Sequence, residues 1–337
     1  MLSLTGVVPA NILPFDEDGR IDVGEYRRHL EWLAETPGVT GLTCNGHAGE
    51  VAALDRDERR RAVAIAAEVV AGRVPLVAGV YAENSRQAIE LARDAEAEGA
   101  DALLVMPPNA LLFGGYPEMA YRHHAELAEA VELPIVAFVY PAWTRMQYDV
   151  DTLLRICGIE AVAAVKEWSL DIAVFECNLR AVRGLDRPVS VLSSFSTNLL
   201  PSLVLGADGV LSGHGSVIAD LQAGLLNAVR AGDRGAAEAT YARIQVLTAA
   251  VYRDPMVDMY TRMKEQLVML GRQSRAAVRP PLCPLSPAER ADLRAALVRA
   301  DVLSEADARL AGQKSPVTRE LPGQRNRTPN SAPSTHA

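Results

Sequence analysis

The stretch "PLVAGVYAENSRQAIELARDAEAEGADALLVMP", residues 75–107, decides the fold. It opens on a short apolar run, Pro75–Tyr81, and passes through an amphipathic segment of helical period, Ser85–Glu98. It closes on a second apolar run, Ala102–Pro107. Strand, helix and strand in that order are a parallel βαβ unit, because the helix must carry the chain back before the next strand can run the same way.

The alternation recurs eight times. The expected strands are Gly6–Pro14, Val39–Asn45, Pro75–Tyr81, Ala102–Pro107, Pro134–Tyr140, Val162–Lys166, Pro188–Ser193 and Gly209–Gly213. Helical stretches between them include Val23–Glu35, Arg56–Ala71, Ser85–Glu98, Pro117–Val131, Leu170–Arg183 and Ala219–Ala231. Eight such units closing on themselves make a (β/α)8 (TIM) barrel, an α/β fold whose usual size of about 250 residues suits residues 1–232.

From 233 to 311 no strand signal remains. "RGAAEATYARIQVLTAAVY", "DMYTRMKEQLVMLG" and "SPAERADLRAALVRADVL" carry apolar residues at helical spacing, which predicts a small C-terminal helical extension. The connector "RPPLCPLSP" (279–287) leads into its last helix, started by Ser286 or Pro287. Residues 312–337 have almost no large apolar side chains and are expected to be disordered.

A hydrophobic content of 49% with 23% charged residues describes a globular chain with a sizeable core. The net charge of -8 argues against nucleic acid as a partner, since phosphate binding needs a basic surface. No apolar run reaches the length of a membrane span, and "MLSLTGVVPANILPF" lacks the basic start and long apolar core of a signal peptide. Cys44, Cys157, Cys177 and Cys283 are scattered without CxxC spacing, so reduced thiols in a cytoplasm are expected.

Lysine is rare. Of 34 basic residues, only Lys166, Lys264 and Lys314 are not arginine. Lys166 ends the apolar run in "EAVAAVKEWS" (160–169), just where polar Glu167 and Ser169 begin. An amine at a buried strand end offers what a guanidinium does not: it can lose its proton and attack a carbonyl. Burial among apolar neighbours lowers its pKa towards neutrality. Its plain alternative is a lysine that reaches solvent or pairs with Glu167.

In such a barrel the chemistry gathers at the C-terminal strand ends. The polar residues expected there are Asn11, Asn45 with "GHAGE" (46–50), Tyr81, Asn109, Tyr140, Lys166, Ser193, Ser194 and His214. Gly46 and Gly49 in a tight turn before a helix expose backbone N–H groups to an anion. His47 and His214 are expected to converge on the mouth, whereas His123 and His124 lie on a helix and are expected to be solvated. No third histidine or carboxylate accompanies the mouth pair at ligand spacing, so no metal site is expected.

These residues carry a resemblance. "GVVPANILPFDEDGRID", "VTGLTCNGHAGEVAALDRDERR", "LPIVAFVYP", "VAAVKEWSLD" and "LGADGVLSGHGSV", with the stretch quoted first, resemble the dihydrodipicolinate synthase / N-acetylneuraminate lyase family over about residues 4–300. The resemblance implies a Schiff-base lyase that needs no cofactor and acts on a small 2-oxo acid such as pyruvate. Lys166 would be the imine-forming lysine, and Gly46, His47 and Ala48 the carboxylate-binding turn. Ser194 and Leu211 would line the pyruvate pocket, and the chain would form homodimers or homotetramers. The apolar loop Leu111, Leu112 and Phe113 agrees with association.

The departures are specific. His47 and Ala48 stand where the family turn has Thr-Thr or Ser-Thr. Phe138 occupies the position of the family's proton-shuttling tyrosine, and Tyr140 appears two residues later on the same strand face. Tyr140 is therefore expected to take over proton transfer. Trp143 stands near the arginine that grips the aldehyde's carboxylate in the synthases, so the lysine-pathway synthase reaction is not expected. A pyruvate-type aldolase and a 2-keto-3-deoxy sugar acid dehydratase share every residue named; a 2-oxo acid-binding barrel without turnover is the alternative.

Overall fold

A computed structural model describes residues 4–194 and 196–304. In chain order its elements are β1 (Gly6–Val7), α1 (Val23–Glu35), β2 (Leu42–Cys44), α2 (Arg56–Val70), β3 (Leu76–Val80), α3 (Ser85–Ala97), β4 (Ala102–Val105), α4 (Pro117–Ala130), β5 (Ile135–Val139) and α5 (Val150–Cys157). Then come β6 (Val162–Glu167), α6 (Ile172–Arg183), β7 (Ser190–Ser193), α7 (Leu199–Val204), β8 (Gly209–Val210), α8 (Gly215–Arg230), α9 (Arg234–Val251), α10 (Met259–Met269) and α11 (Pro287–Arg299).

All neighbouring strands pair in parallel, in the order β1-β8-β7-β6-β5-β4-β3-β2. The two ends of that series meet through parallel bridges Val7 to Val39 and Ala10 to Thr43. The Thr43 amide donates to Pro9 O at 2.8 Å and the Asn11 amide to Thr43 O at 2.9 Å, which closes the barrel. The first strand is thus far shorter as a ladder than the expected Gly6–Pro14, because past Val7 it pairs only at single bridges.

Side-chain alternation sorts the residues into two cores. Ala102, Leu104, Val136, Phe138, Ala164 and Leu192 pack in the interior of the barrel. Leu103, Val105, Ala137, Val139, Val165 and Val191 pack outward under the helices. A register shift at Ile135/Val136 sets Phe138 opposite Lys166 on the neighbouring strand. Parity then turns Lys166 inward and Glu167 outward.

Acidic and amide caps start the helices. Asp22, Asp55, Asn84, Asp149, Asp171 and Asp233 each accept a backbone N–H of the first turn. Ser286 caps α11 in a capping box with Glu289, so the last helix starts at Pro287, as its sequence predicts. Helices α9 and α11 pack on one another, and α9 lies against α8. The expected disordered tail, 312–337, and residues 305–311 of the expected extension lie outside the described residues.

Two helices, α5 and α7, do not stand out in the sequence, being only eight and six residues long. The expectation for His123 and His124 is corrected: they are 1% and 0% exposed. They occupy the inward face of α4, where His123 Nδ1 meets Ser85 Oγ at 3.0 Å and the His124 ring stands edge-on to Tyr148.

Candidate active site

The turn after β2 is seated by one glycine. A Cβ on Gly79 would lie 2.0 Å from the backbone oxygen of Asn45, so only glycine lets the end of β2 cross β3 this closely. Asn45 itself takes a left-handed φ of 52°. The chain then passes Gly46 into a single 3-10 turn, His47–Gly49, whose first amides have no carbonyl of their own turn to bond. Ala48 is buried beneath it, and Glu50 ends the turn in the left-handed region with φ 55°.

Lys166 is 4% exposed. Its Nζ lies 3.9 Å from the centroid of the Phe138 ring, and among the described residues it enters no ion pair. Glu167 points the other way: Asn178 on α6 donates to its Oε1 at 3.1 Å and the Ser169 amide to its Oε2 at 3.3 Å. The pairing of Lys166 with Glu167 is therefore absent, because successive strand residues face opposite sides. Burial alone pulls the Lys166 amine down to about 7. Burial also raises the Glu167 carboxyl to about 7, although its hydrogen bonds to Ser169 and Asn178 act the other way.

Tyr140, two residues beyond Phe138, is 4% exposed. Its hydroxyl is hydrogen-bonded to His47 Nε2, tying the turn after β2 to the end of β5. Burial, and then Lys166, lower the His47 imidazole to about 3, so it is neutral at neutral pH. Burial raises the Tyr140 phenol well above its ordinary value. A neutral imidazole bonded to a protonated phenol is a pair that can pass a proton without net charge.

Trp168 completes this wall. Its ring centroid lies 6.0 Å from those of both Phe138 and Tyr140, and 6.4 Å from that of Trp143. Sequence reading overlooked it, yet the signal was present: Trp168 stands two residues after Lys166 and shares its inward face. Of the other expected site residues, Ser194 and Leu211 are buried. The Ser194 amide donates to Glu167 O at 2.8 Å, holding the end of β7 beside the lysine strand.

His214 goes elsewhere. Its Nε2 meets Gln266 Oε1 of α10 at 3.1 Å and its Nδ1 meets Thr248 Oγ1 of α9 at 3.5 Å. Its ring stands edge-on to Tyr252, and burial lowers it to about 4. The expected convergence of two histidines does not form: the partners of His47 lie at the ends of β3 and β5, those of His214 on the C-terminal helices. Among the described residues no three His, Cys, Asp or Glu gather as a metal would need, and no helix is long and apolar enough to cross a membrane.

A model of the dihydrodipicolinate synthetase family matches residues 3–300. The 4-hydroxy-tetrahydrodipicolinate synthase of Nitratidesulfovibrio vulgaris (strain DP4) is 31% identical over 90% of this chain and 100% of its own length. That of Methanothermobacter thermautotrophicus is 31% identical over 80% of this chain and 94% of its own. Among solved structures, dihydrodipicolinate synthase from Thermotoga maritima matches with a TM-score of 0.83 and 25% identity, covering 90% of this chain and 100% of that one. A prophage protein of the dihydrodipicolinic acid synthase family from E. coli K12, solved in complex with pyruvate, matches with a TM-score of 0.82 and 26% identity, covering 89% and 99%.

Proposed function

The chain belongs to the dihydrodipicolinate synthetase family, and from that premise we propose that it is a Schiff-base-forming lyase acting on pyruvate or a longer 2-oxo acid. One observation carries the reading. Lys166 Nζ is buried at the C-terminal end of the barrel, unpaired among the described residues, and lowered to about 7 by desolvation. Close to half of such amines are uncharged at neutral pH and able to add to a ketone.

In this reading the ketone carbon of the oxo acid bonds to Nζ and water leaves, giving an iminium that draws electrons from the neighbouring carbon. Tyr140, backed by His47, moves the proton as the adjacent carbon–carbon or carbon–oxygen bond breaks. The amides of His47 and Ala48, following Gly46, hold the carboxylate; the peptide group serves whatever side chains those residues carry. Phe138, Ser194 and Leu211 pack around the three-carbon end. His214 acts from behind, as a buried brace between the end of β8 and α9 and α10.

The synthase reaction itself is not the reading favoured here, although relatives at 31% identity bear that name. Phe138 lacks a hydroxyl at the strand position where the resemblance requires one, and Ala48 lacks it in the turn. The exposed Leu112, Phe113 and Tyr116 around the start of α4 support association of the chain with itself.

Borohydride reduction in the presence of pyruvate, followed by mass spectrometry, tests the shared step. A reduced pyruvyl adduct on the Lys166 peptide is expected. An unmodified peptide overturns the proposal.

A further inference from the structure

We infer that the second half of the substrate is an aromatic ring: the partner of pyruvate in condensation, or the product of cleavage, is an aryl aldehyde. This rests on the Schiff-base reading of Lys166 and names what lies beyond the three-carbon end.

From Lys166 outward the wall on the β5 and β6 side is aromatic without a break. Phe138 lies under Nζ, and Tyr140 follows with ring centroids 4.6 Å apart at 71°. Trp168 meets both, and Trp143, 65% exposed on the turn after β5, extends the wall to the rim. Across from it, the His47 ring lies 5.6 Å from those of Tyr81 and Tyr140. Edge-on contacts at these separations are the ones aromatic rings favour, and a flat apolar ring set against this wall gains more of them.

The charges available argue the same way. Among the described residues, the cation set against these rings besides Lys166 is Arg59, over Tyr81. Its guanidinium is engaged by the carbonyls of Leu54, Tyr81 and Val51. Arg145, two residues past Trp143, lines a separate cavity of about 80 Å³ with Leu111, Tyr116 and Tyr148. Among the described residues, a carboxylate on the distal half would meet no unengaged guanidinium set against these rings. A polyhydroxylated chain would lose its water against rings that are mostly apolar in area, and the polar pair nearest Lys166, Tyr140 Oη and His47 Nε2, already bond one another.

The condensation balances with groups already named. The pyruvate imine loses a proton from its methyl carbon, and the resulting enamine forms a carbon–carbon bond to the aldehyde carbon. The aldehyde oxygen receives a proton by way of Tyr140. Water then hydrolyses the imine, freeing Lys166 and a 4-aryl-4-hydroxy-2-oxobutanoate. Cleavage is the reverse.

The test compares benzaldehyde, glyoxylate and glyceraldehyde as partners of pyruvate, using the wild type, Trp143→Ala and Trp168→Leu, with borohydride trapping of pyruvate measured in parallel. The expected result is a kcat/KM for benzaldehyde at least tenfold above the other two. Each tryptophan variant should lower it tenfold or more, with the Lys166 adduct and far-ultraviolet circular dichroism unchanged. A kcat/KM higher for glyoxylate or glyceraldehyde than for benzaldehyde, or tryptophan variants that lower all three aldehydes equally, overturns the inference and leaves the lysine chemistry standing. Absence of the adduct overturns both.

Discussion

Lys264 of α10 and Glu50, the last residue of the turn that carries His47 and Ala48, form an ion pair in which neither side chain is more than 2% exposed. The same Nζ donates to Ala277 O at 2.8 Å and sits 4.2 Å from the Phe15 ring centroid. The other carboxylate oxygen accepts the Arg279 amide at 3.0 Å. The C-terminal segment therefore grips the turn that carries His47 and Ala48 by a residue held in the left-handed region, which is destabilised unless something fixes it.

Lys264→Met should cost about 3–5 kcal/mol, because it leaves the Glu50 carboxylate buried without its partner. Pairing it with Glu50→Leu should recover most of that loss in urea unfolding. The double variant should nevertheless keep a several-fold raised KM for pyruvate, since the turn is no longer held. A pyruvate KM equal to that of the wild type would contradict the grip.

Lys166 has an opposite effect on stability. Its folded-state pKa of about 7 lies below the ordinary lysine value, so the unfolded chain binds the proton more tightly. The cost of burying this amine is complete below pH 7 and fades as pH rises from 7 towards about 10.5. Lys166→Met should therefore be more stable than the wild type by about 3–5 kcal/mol at pH 6, the gap closing by pH 10. Adduct formation should fall roughly tenfold for each pH step below 7 as the amine becomes charged. A gap that does not narrow with pH would place the proton elsewhere.

The barrel was legible because its signal repeats: eight apolar runs and their spacing survive errors in any one element. Lys166 was legible because lysine is scarce in this chain. Trp168 and Lys264 were harder to see for different reasons. Trp168 belongs to the site by strand parity, which a local reading of "KEWS" as a strand end cut short. Lys264 reaches Glu50 across 214 positions of sequence, and no local pattern signals a partner that only the closed fold brings near. His214 was misjudged for the same reason, since its partners sit on helices that pack over the barrel from beyond residue 233.

Glu167 yields a prediction on the outer face of the lysine strand. Burial holds its carboxyl protonated until about pH 7, whereas in the unfolded chain it ionises near its ordinary 4.5. The folded state thus binds more proton between those values, and stability falls as pH rises from 4.5 to 7. Glu167→Gln keeps an acceptor for Asn178 and removes that fall. The amide's NH2 facing the Ser169 amide takes back about 1 kcal/mol, leaving the variant roughly 2–3 kcal/mol more stable than the wild type at pH 8. Thermal unfolding at pH 5 and pH 8 measures this, and an equal difference at both would refute it.

Under the proposed function, the hydrogen bond between Tyr140 and His47 should separate capture of the oxo acid from its turnover. In the proposed reaction Lys166 makes the imine with its own lone pair, so Tyr140→Phe should leave the borohydride adduct with pyruvate within about threefold of wild type. Bond cleavage needs a proton moved at the substrate, and loss of that donor should lower kcat by about 10²–10³. His47→Asn removes the partner and leaves the phenol, so its kcat should fall less, by about tenfold, with the loss concentrated in kcat since the turn's peptide groups remain. The His47 ring is neutral at all pH values above about 3, so neither variant should shift the limb of the pH profile near 7. That limb is the one expected from Lys166, whose amine burial lowers to about 7. If Tyr140→Phe abolishes the adduct as well, the phenol acts in imine formation, and capture and turnover are not separable in this site.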